Sequence, residues 1–221
     1  MNREIIETSD GSHSIYLKEM DEHYHSKHGA IAESQHIFIQ NGLIEKARMK
    51  NSLSIFEVGM GTGLNVLTTF LAAEKAGLEI DYHTIEAYPV DWEEAQHLNY
   101  SEQLGMTDQL LKEIHNADWG EETKLSDNFK LIKYNEDVLN FKHGSRYDLI
   151  YFDAFAPEKQ EEMWSEAVFK NLFDFLTRNG VLVTYCVKGE IRRRLKGIGF
   201  EVEKLAGPVG GKREMCRAIK P

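Results

Sequence analysis

The chain has 221 residues, 42% hydrophobic and 28% charged, which suits one globular domain with a sizeable core. It contains no apolar run long enough to span a bilayer and no basic-then-apolar start, so neither membrane nor secretory leader is expected, and the cytoplasm is. A net charge of −10 argues against broad nonspecific nucleic-acid binding, and two cysteines, Cys186 and Cys216, cannot build a disulfide framework or a zinc site.

Residues 1–50 are polar and histidine-rich and are expected to be an extension packed on a main domain over 51–221, the whole forming a single domain. Within it, the spacing of Ile31, Phe38 and Ile39 predicts a helix over 31–48. A strand over 53–58 then leads to a helix over 64–76, stopped by Gly77, and a second strand over 79–85. Helices follow over 91–99 and 107–116, and strands over 129–134 and 147–152. An amphipathic helix over 161–176 carries Trp164, Val168, Leu172 and Phe175 on one stripe. A strand over 180–186, a basic helix over 190–196 and two closing strands over 200–205 and 213–219 complete the chain. Seven strands alternating with helices predict an α/β fold, a mostly parallel sheet with helices on both faces.

The first strand runs directly into Gly59, Gly61 and Gly63 and then into helix. Glycine at such a turn permits positive φ and lets a ligand lie against the main chain. The G-x-G-x-G spacing differs from the G-x-G-x-x-G that grips a pyrophosphate. With Glu57 just before it and Asn65 just after, the turn suits a nucleoside with an amino-acid tail, such as S-adenosylmethionine.

In parallel sheets ligands bind beyond the carboxyl ends of the strands, where the winding reverses. Glu57, Glu86, Asp137 and Asp153 all fall at or just past such ends. Glu86 is placed to accept from ribose hydroxyls, Asp137 from an adenine amino group, and Glu57 from the ammonium of a methionyl tail. An acid at the end of a strand is also an ordinary turn residue, and Asp137 an ordinary cap.

Asp153-Ala-Phe-Ala-Pro157 follows a very apolar strand, so its carboxylate faces the point where a methyl group would arrive, with Phe155 and Pro157 shaping the substrate side. The Asn/Asp-Pro-Pro-aromatic loop of many nucleic-acid base N-methyltransferases is absent. An alkylamine acceptor fits better. Near neutral pH such an amine is mostly protonated, a penalty of roughly 4–5 kcal/mol that desolvation can partly recover. The acid would hold the N–H groups so that the lone pair aims at the methyl carbon, then take a proton directly or through water. A sulfonium supplies the activation, so no metal is expected.

Cys186, in an apolar strand, reads as a core residue rather than a nucleophile. His13, His23, His25, His28 and His36 show no regular ligand spacing. Lys188, Arg192, Arg193, Arg194 and Lys196, with Lys212 and Arg213 further on, form either a solvated face or a local anion-binding patch.

The segments Asp10-Gly-Ser12, Tyr24-His-Ser26, Gly29-Ala30, Glu33-Ser34 and Glu57-Val-Gly-Met-Gly-Thr-Gly-Leu-Asn65 recur together with Asp153-Ala-Phe-Ala-Pro157 and Met163-Trp164. With Tyr185-Cys-Val-Lys188, Arg192-Arg193, Gly199-Phe200 and Gly210-Gly-Lys-Arg-Glu-Met215, they span most of the chain. In this combination the sequence resembles the MnmC-type tRNA methyltransferases, which make 5-methylaminomethyl-2-thiouridine at the wobble position. The resemblance implies a Rossmann-like class I fold whose closing strands form an antiparallel edge. It implies methyl transfer from S-adenosylmethionine to the 5-aminomethyl group of the wobble uridine, with the tRNA anticodon stem-loop as partner. Lys188, Arg192, Arg193, Lys212 and Arg213 are then expected at the phosphates, and Tyr24 and His25 in the pocket. Two-domain members carry a flavin-dependent oxidase after this domain, so a chain ending at Pro221 is expected to be the stand-alone form. Nothing in the sequence fixes the oligomeric state, and a monomer is the default. Two other readings stay open: methyl or aminopropyl transfer to a small free amine such as a polyamine, and a non-catalytic Rossmann-like binding module.

Overall fold

The computed structural model describes residues 3–211 and 213–221; Lys212, one of the expected phosphate contacts, lies outside the described residues. The polar start of the chain forms a separate antiparallel sheet of β1 (Arg3–Glu7), β2 (His13–Leu17) and β3 (Glu22–His23). Sequence patterning missed these strands because only the inner face of β2 is apolar, with Ile15 and Leu17 both buried. The helix expected over 31–48 is present as α1 (Ala30–Ser34), a π-wound stretch (Gln35–Ile44) and α2 (Glu45–Ala47). Its free N-terminal amides are satisfied from a distance: the Ala32 amide donates to Asp10 Oδ2 at 3.0 Å and the Ala30 amide to Ser12 Oγ at 3.1 Å. This explains the Asp10-Gly-Ser12 and Gly29-Ala30 segments, since a Cβ on Gly29 would lie 2.5 Å from Asp10 Oδ2.

The main part contains β4 (Ser52–Val58), α3 (Leu64–Ala76), β5 (Glu79–Ile85), α4 (Trp92–Ala95), α5 (Tyr100–Gln103) and α6 (Gln109–Asn116). It continues through β6 (Glu122–Ser126), β7 (Phe129–Tyr134), β8 (Tyr147–Phe152), α7 (Glu166–Phe175), β9 (Leu176–Thr184), α8 (Gly189–Ile198), β10 (Glu201–Ala206) and β11 (Glu214–Ile219). The sheet order is β10-β11-β9-β8-β4-β5-β7-β6. β7, β5, β4, β8 and β9 run parallel, whereas β6 and β11 run antiparallel to their neighbours. The expected mostly parallel sheet is there, with eight strands rather than seven. The addition is β6, a polar edge strand (Glu-Thr-Lys-Leu-Ser) with no apolar alternation to announce it.

Other boundaries moved for local reasons. The helix expected over 91–99 is only one turn, α4, followed after a turn by α5. The helix expected over 161–176 is interrupted at Ser165, whose hydroxyl caps α7 by accepting from the Val168 amide; a 3-10 turn (Glu161–Trp164) precedes it. β9 starts at Leu176 and carries a register irregularity against β8, and Cys186 lies past its end.

Every residue of β8 is buried, as a central strand covered on both faces requires. One apolar cluster joins α3, α6 and the N-terminal segment to the sheet; a second, under α7 and α8, includes Phe56, Phe152, Trp164 and Phe169. The chain winds outward from β4 through β5 to β7, then returns to β8 on the other side of β4. The reversal therefore falls between β4 and β8, which places Gly59 and Asp153 side by side. Among the described residues no helix is long and apolar enough to cross a membrane.

Candidate active site

Each parallel strand delivers its last residue to one rim. The Gly59 amide donates to Ile85 O at 3.0 Å, the Asp153 amide to Val58 O at 3.0 Å and the Glu86 amide to Tyr134 O at 2.9 Å, so the ladder extends one residue beyond each strand. Gly59, Gly61 and Gly63 have φ of 91°, 50° and 75°, the region that disfavours side chains. The space they leave is filled by the protein itself. A Cβ on Gly59 would lie 2.7 Å from the Asp153 carbonyl oxygen, one on Gly61 2.9 Å from the Tyr24 ring, and one on Gly63 3.0 Å from His115 Nε2.

Above this turn lies a cleft with about 1010 Å³ of space, part of it open solvent. Gly59, Gly61, Asn65, Glu86, Asp137 and Asp153 line it, with an apolar wall that includes Val58, Ile85, Val138 and Met163. Leu17, Met20, Tyr24 and His25 close it from the N-terminal sheet. A second cavity, with about 620 Å³ of space including open solvent, adjoins it, lined by Glu22, His23, Glu33, Ala156 and Tyr185 among others. Tyr24, His25, Asp153, Ala154 and Phe155 belong to both walls. Tyr24 and Phe155 meet edge to face at 5.1 Å and form the partition. Three carboxylates, Glu22, Glu33 and Asp153, against one lysine, Lys27, leave the lining of the second cavity net acidic and suited to a cation.

Asp153 is partly exposed at the tip of β8. Its Oδ2 accepts from Asn65 Nδ2 at 2.9 Å. Phe155 is fixed through its backbone: its amide donates to Gln160 Oε1 at 3.0 Å, and its carbonyl accepts from Trp164 Nε1 at 2.8 Å. Tyr185 donates its hydroxyl to Ala154 O at 2.9 Å. Pro157 sits in neither cavity wall, so its contribution is to the turn.

Glu86 Oε2 accepts from the Gly61 amide at 3.0 Å and Oε1 from the Tyr88 amide at 2.9 Å, so this acid ties the glycine turn to the end of β5. Each oxygen keeps a second lone pair for a ligand hydroxyl. Asp137 is exposed in the cleft wall, with Oδ1 accepting from the Leu139 amide at 2.9 Å. Gly63 is buried at the start of α3 and does not line the cleft.

Glu57 is placed differently from expectation. It is fully buried beneath the cleft and lines neither cavity. Its register partner on β5 is Thr84, which donates to Glu57 Oε2 at 2.8 Å. The pleat therefore turns this side chain into the face covered by α3, away from direct contact with a ligand tail. Burial, with Asp153 nearby, pushes the Glu57 carboxyl up to about 8, against hydrogen bonding from Thr84, Asn65 and Tyr82.

An unfolded glutamate ionises near 4.5, so from there to about pH 8 the folded state holds a proton the unfolded state lacks. Stability contributed by Glu57 therefore falls as pH rises through this window. His25, held down to about 4 by burial, gives the opposite slope below about pH 6.5. We expect the stability of the ligand-free protein relative to Glu57→Gln to fall between pH 6.5 and 8 by on the order of 1 kcal/mol per pH unit. Urea midpoints at several pH values measure it; a constant difference would mean that Glu57 ionises in the ordinary range.

His25 faces Ser14 Oγ at 3.2 Å and Thr62 Oγ1 at 3.5 Å, and burial pushes the Tyr24 phenol up to about 12, so both are neutral near pH 7. Of the residues expected at the phosphates, Lys188, Arg192, Arg193 and Arg213 stand outside both cavities. Lys188 pairs with Glu158, Arg192 Nε donates to Val187 O at 3.1 Å, and Arg193 and Arg213 are exposed. The first turn of α8 and the β10–β11 loop both lie at the carboxyl rim. Glu33, Ser34 and Tyr185 were visible only as parts of longer segments, with no role attached.

The cleft fits S-adenosylmethionine in its bare glycine floor, its acids beyond β5 and β7, and its apolar wall. Comparison with known proteins agrees. Residues 102–221 match the family described as S-adenosyl-L-methionine-dependent methyltransferase. The bifunctional protein MnmC of tRNA 5-methylaminomethyl-2-thiouridine biosynthesis from Burkholderia mallei (strain SAVP1) is 31% identical over 212 residues, 87% of this chain and 32% of that protein. The protein of the same name from Cupriavidus metallidurans is 31% identical over 229 residues, 97% of this chain and 33% of that one. The chain thus spans about a third of the length of these relatives. The crystal structure of MNMC2 from Aquifex aeolicus superposes with a TM-score of 0.80 at 22% identity, covering 98% of this chain and 69% of that one, which shows a shared fold. Fold, cleft and sequence match lead to one conclusion: the chain belongs to the family of S-adenosyl-L-methionine-dependent methyltransferases.

Proposed function

We propose that this enzyme methylates the 5-aminomethyl nitrogen of (2-thio)uridine at the tRNA wobble position, giving 5-methylaminomethyl-(2-thio)uridine. The observation that carries this is Asp153 in the wall shared by the cleft over the glycine turn and a net-acidic, aromatic-lined second cavity. The names of the MnmC relatives supply the nucleoside. Bound S-adenosylmethionine supplies an electrophilic methyl group. Asp153 orients the acceptor N–H groups and takes up the released proton, directly or through water. Tyr24, Phe155 and Tyr185 supply aromatic surface for a base, and the acids of the second cavity select an amine-bearing one. Glu86 and Asp137 hold the nucleoside part of the cofactor, with Glu57 acting only from below. The N-terminal sheet walls both cavities, which supports reading 1–50 and 51–221 as one working domain.

The test is labelled methyl transfer to tRNA bearing 5-aminomethyluridine, with free polyamines in parallel. Label on the wobble nucleoside supports the proposal. Label on polyamine alone would replace it with the small-amine reading, which the acidic second cavity also accommodates.

We assign Lys188, Arg192, Arg193 and Arg213 to tRNA phosphates, because they share the rim with Asp153. Arg192→Ala combined with Arg193→Ala should raise the KM for tRNA about tenfold or more and lower the salt slope by about 1–2, leaving cofactor Kd in place. An unchanged KM and slope would make the helix a solvated face.

A further inference from the structure

Asp153 is the end of a chain of hydrogen bonds that begins in the N-terminal segment. Asn65, in the first turn of α3, donates Nδ2 to Asp153 Oδ2 at 2.9 Å. The Asn65 amide oxygen accepts from the Ser34 hydroxyl at 2.7 Å. Ser34 Oγ also lies 2.9 Å from Thr68 Oγ1, and Thr68 donates to Leu64 O at 2.9 Å. All three supporting residues are buried: Ser34 is 1% exposed, Asn65 3% and Thr68 0%. Ser34 lines neither cavity, so it reaches no ligand directly.

An amide side chain can be flipped without changing its shape, and only its partners fix which end donates. The Asp153 carboxylate only accepts, so the amide nitrogen must face it, and the Ser34 hydroxyl, which can donate or accept, then donates to the amide oxygen left on the other side. The serine thereby holds the amide in the orientation that the carboxylate sets. The N-terminus of α1 is held in turn by Asp10 and Ser12, so the turn between β1 and β2 bears on the carboxylate's position.

We propose that Asn65 and Ser34 are positioning residues that fix the Asp153 carboxylate at the partition between the two cavities. This rests on the reading of Asp153 as the group that meets the acceptor amine. Asn65 also lines the cofactor cleft, and a role in holding cofactor is the rival explanation for any loss on its substitution.

The test is steady-state methyl transfer to tRNA bearing 5-aminomethyluridine, with S-adenosylmethionine Kd measured by calorimetry on the same preparations. Asn65→Ala should lower kcat about 10- to 100-fold, with cofactor Kd changed less than about threefold. Ser34→Ala should lower kcat about three- to tenfold in the same pattern. Asn65→Asp is the sharper variant. The new acid faces two carboxyl groups, Asp153 and the buried Glu57 that Asn65 also hydrogen-bonds, and while it holds a proton it donates to Asp153 as the amide did. The ratio of Asn65→Asp kcat to wild-type kcat should therefore be highest at low pH and fall as pH rises and that proton is lost. A crystal structure of Asn65→Ala should show the Asp153 side chain displaced.

A cofactor Kd raised in proportion to the activity loss, a pH-independent Asn65→Asp ratio, or an unmoved Asp153 with intact kcat would each overturn the proposal. These outcomes differ from failure of the parent reading, in which Asp153→Ala itself keeps its turnover.

Discussion

Asp153→Ala is expected to lower methyl transfer by about 10²–10⁴-fold, while the Kd for S-adenosylmethionine moves less than about threefold. The asymmetry follows from where the side chain stands. Asp153 occupies the boundary of the cleft, whereas the bare main chain at Gly59 and Gly61 and the acids Glu86 and Asp137 belong to the polar wall away from that boundary. Removing the carboxylate leaves that wall intact and deprives the second cavity of the one of its three acids that also lines the cleft. Asp153→Asn separates two contributions. Its amide oxygen can still accept from Asn65, so geometry is preserved while charge and proton affinity are lost. If charge matters, Asn should be nearly as poor as Ala; if only orientation matters, it should recover most of the rate. Single-turnover kinetics with calorimetry reads both. Full turnover by Asp153→Ala would remove this residue from the chemistry.

What could be read in advance depended on whether a signal was local. The parallel core was legible because β8 (Tyr-Asp-Leu-Ile-Tyr-Phe) and the apolar half of β4 form short apolar runs next to turn residues. The glycine turn and Asp153 were legible because both sit at the ends of such strands. β1 and β6 were not, being edge strands whose residues are mostly exposed or half-buried. The second cavity was hidden for another reason. Glu22, Glu33 and Tyr185 come from β3, from α1 and from just past β9, and nothing in their spacing says that they meet. The orientation of Glu57 was also beyond a one-dimensional reading. Its place near a strand end was evident, but which face it takes depends on the pleat and on pairing with Thr84.

The second large effect is expected at Gly59, and it distinguishes a turn built for the protein's own backbone from one built only for a ligand. At φ 91° a side chain is strained whatever surrounds it, by about 1–2 kcal/mol. A Cβ there would also meet the Asp153 carbonyl oxygen at 2.7 Å and its carbonyl carbon at 3.2 Å. Those are main-chain atoms, held by the Asp153 amide donating to Val58 O and the Gly59 amide donating to Ile85 O, so neither can swing aside. Gly59→Ala should therefore destabilise the protein by about 2–5 kcal/mol and, by shifting Asp153, lower kcat by about 10²-fold. Gly61 offers a graded comparison, because its Cβ would meet the side-chain ring of Tyr24 at 2.9 Å, and a ring can turn. Gly77, at φ 65° with nothing within 4 Å, isolates the backbone strain alone, about 1 kcal/mol. Chemical denaturation should rank the losses Gly59→Ala, then Gly61→Ala, then Gly77→Ala, with kcat falling only for the first two. Equal stability losses at Gly59 and Gly77 would mean that β4 and β8 are not in contact at the rim, and the shared wall on which Asp153 stands would go with them.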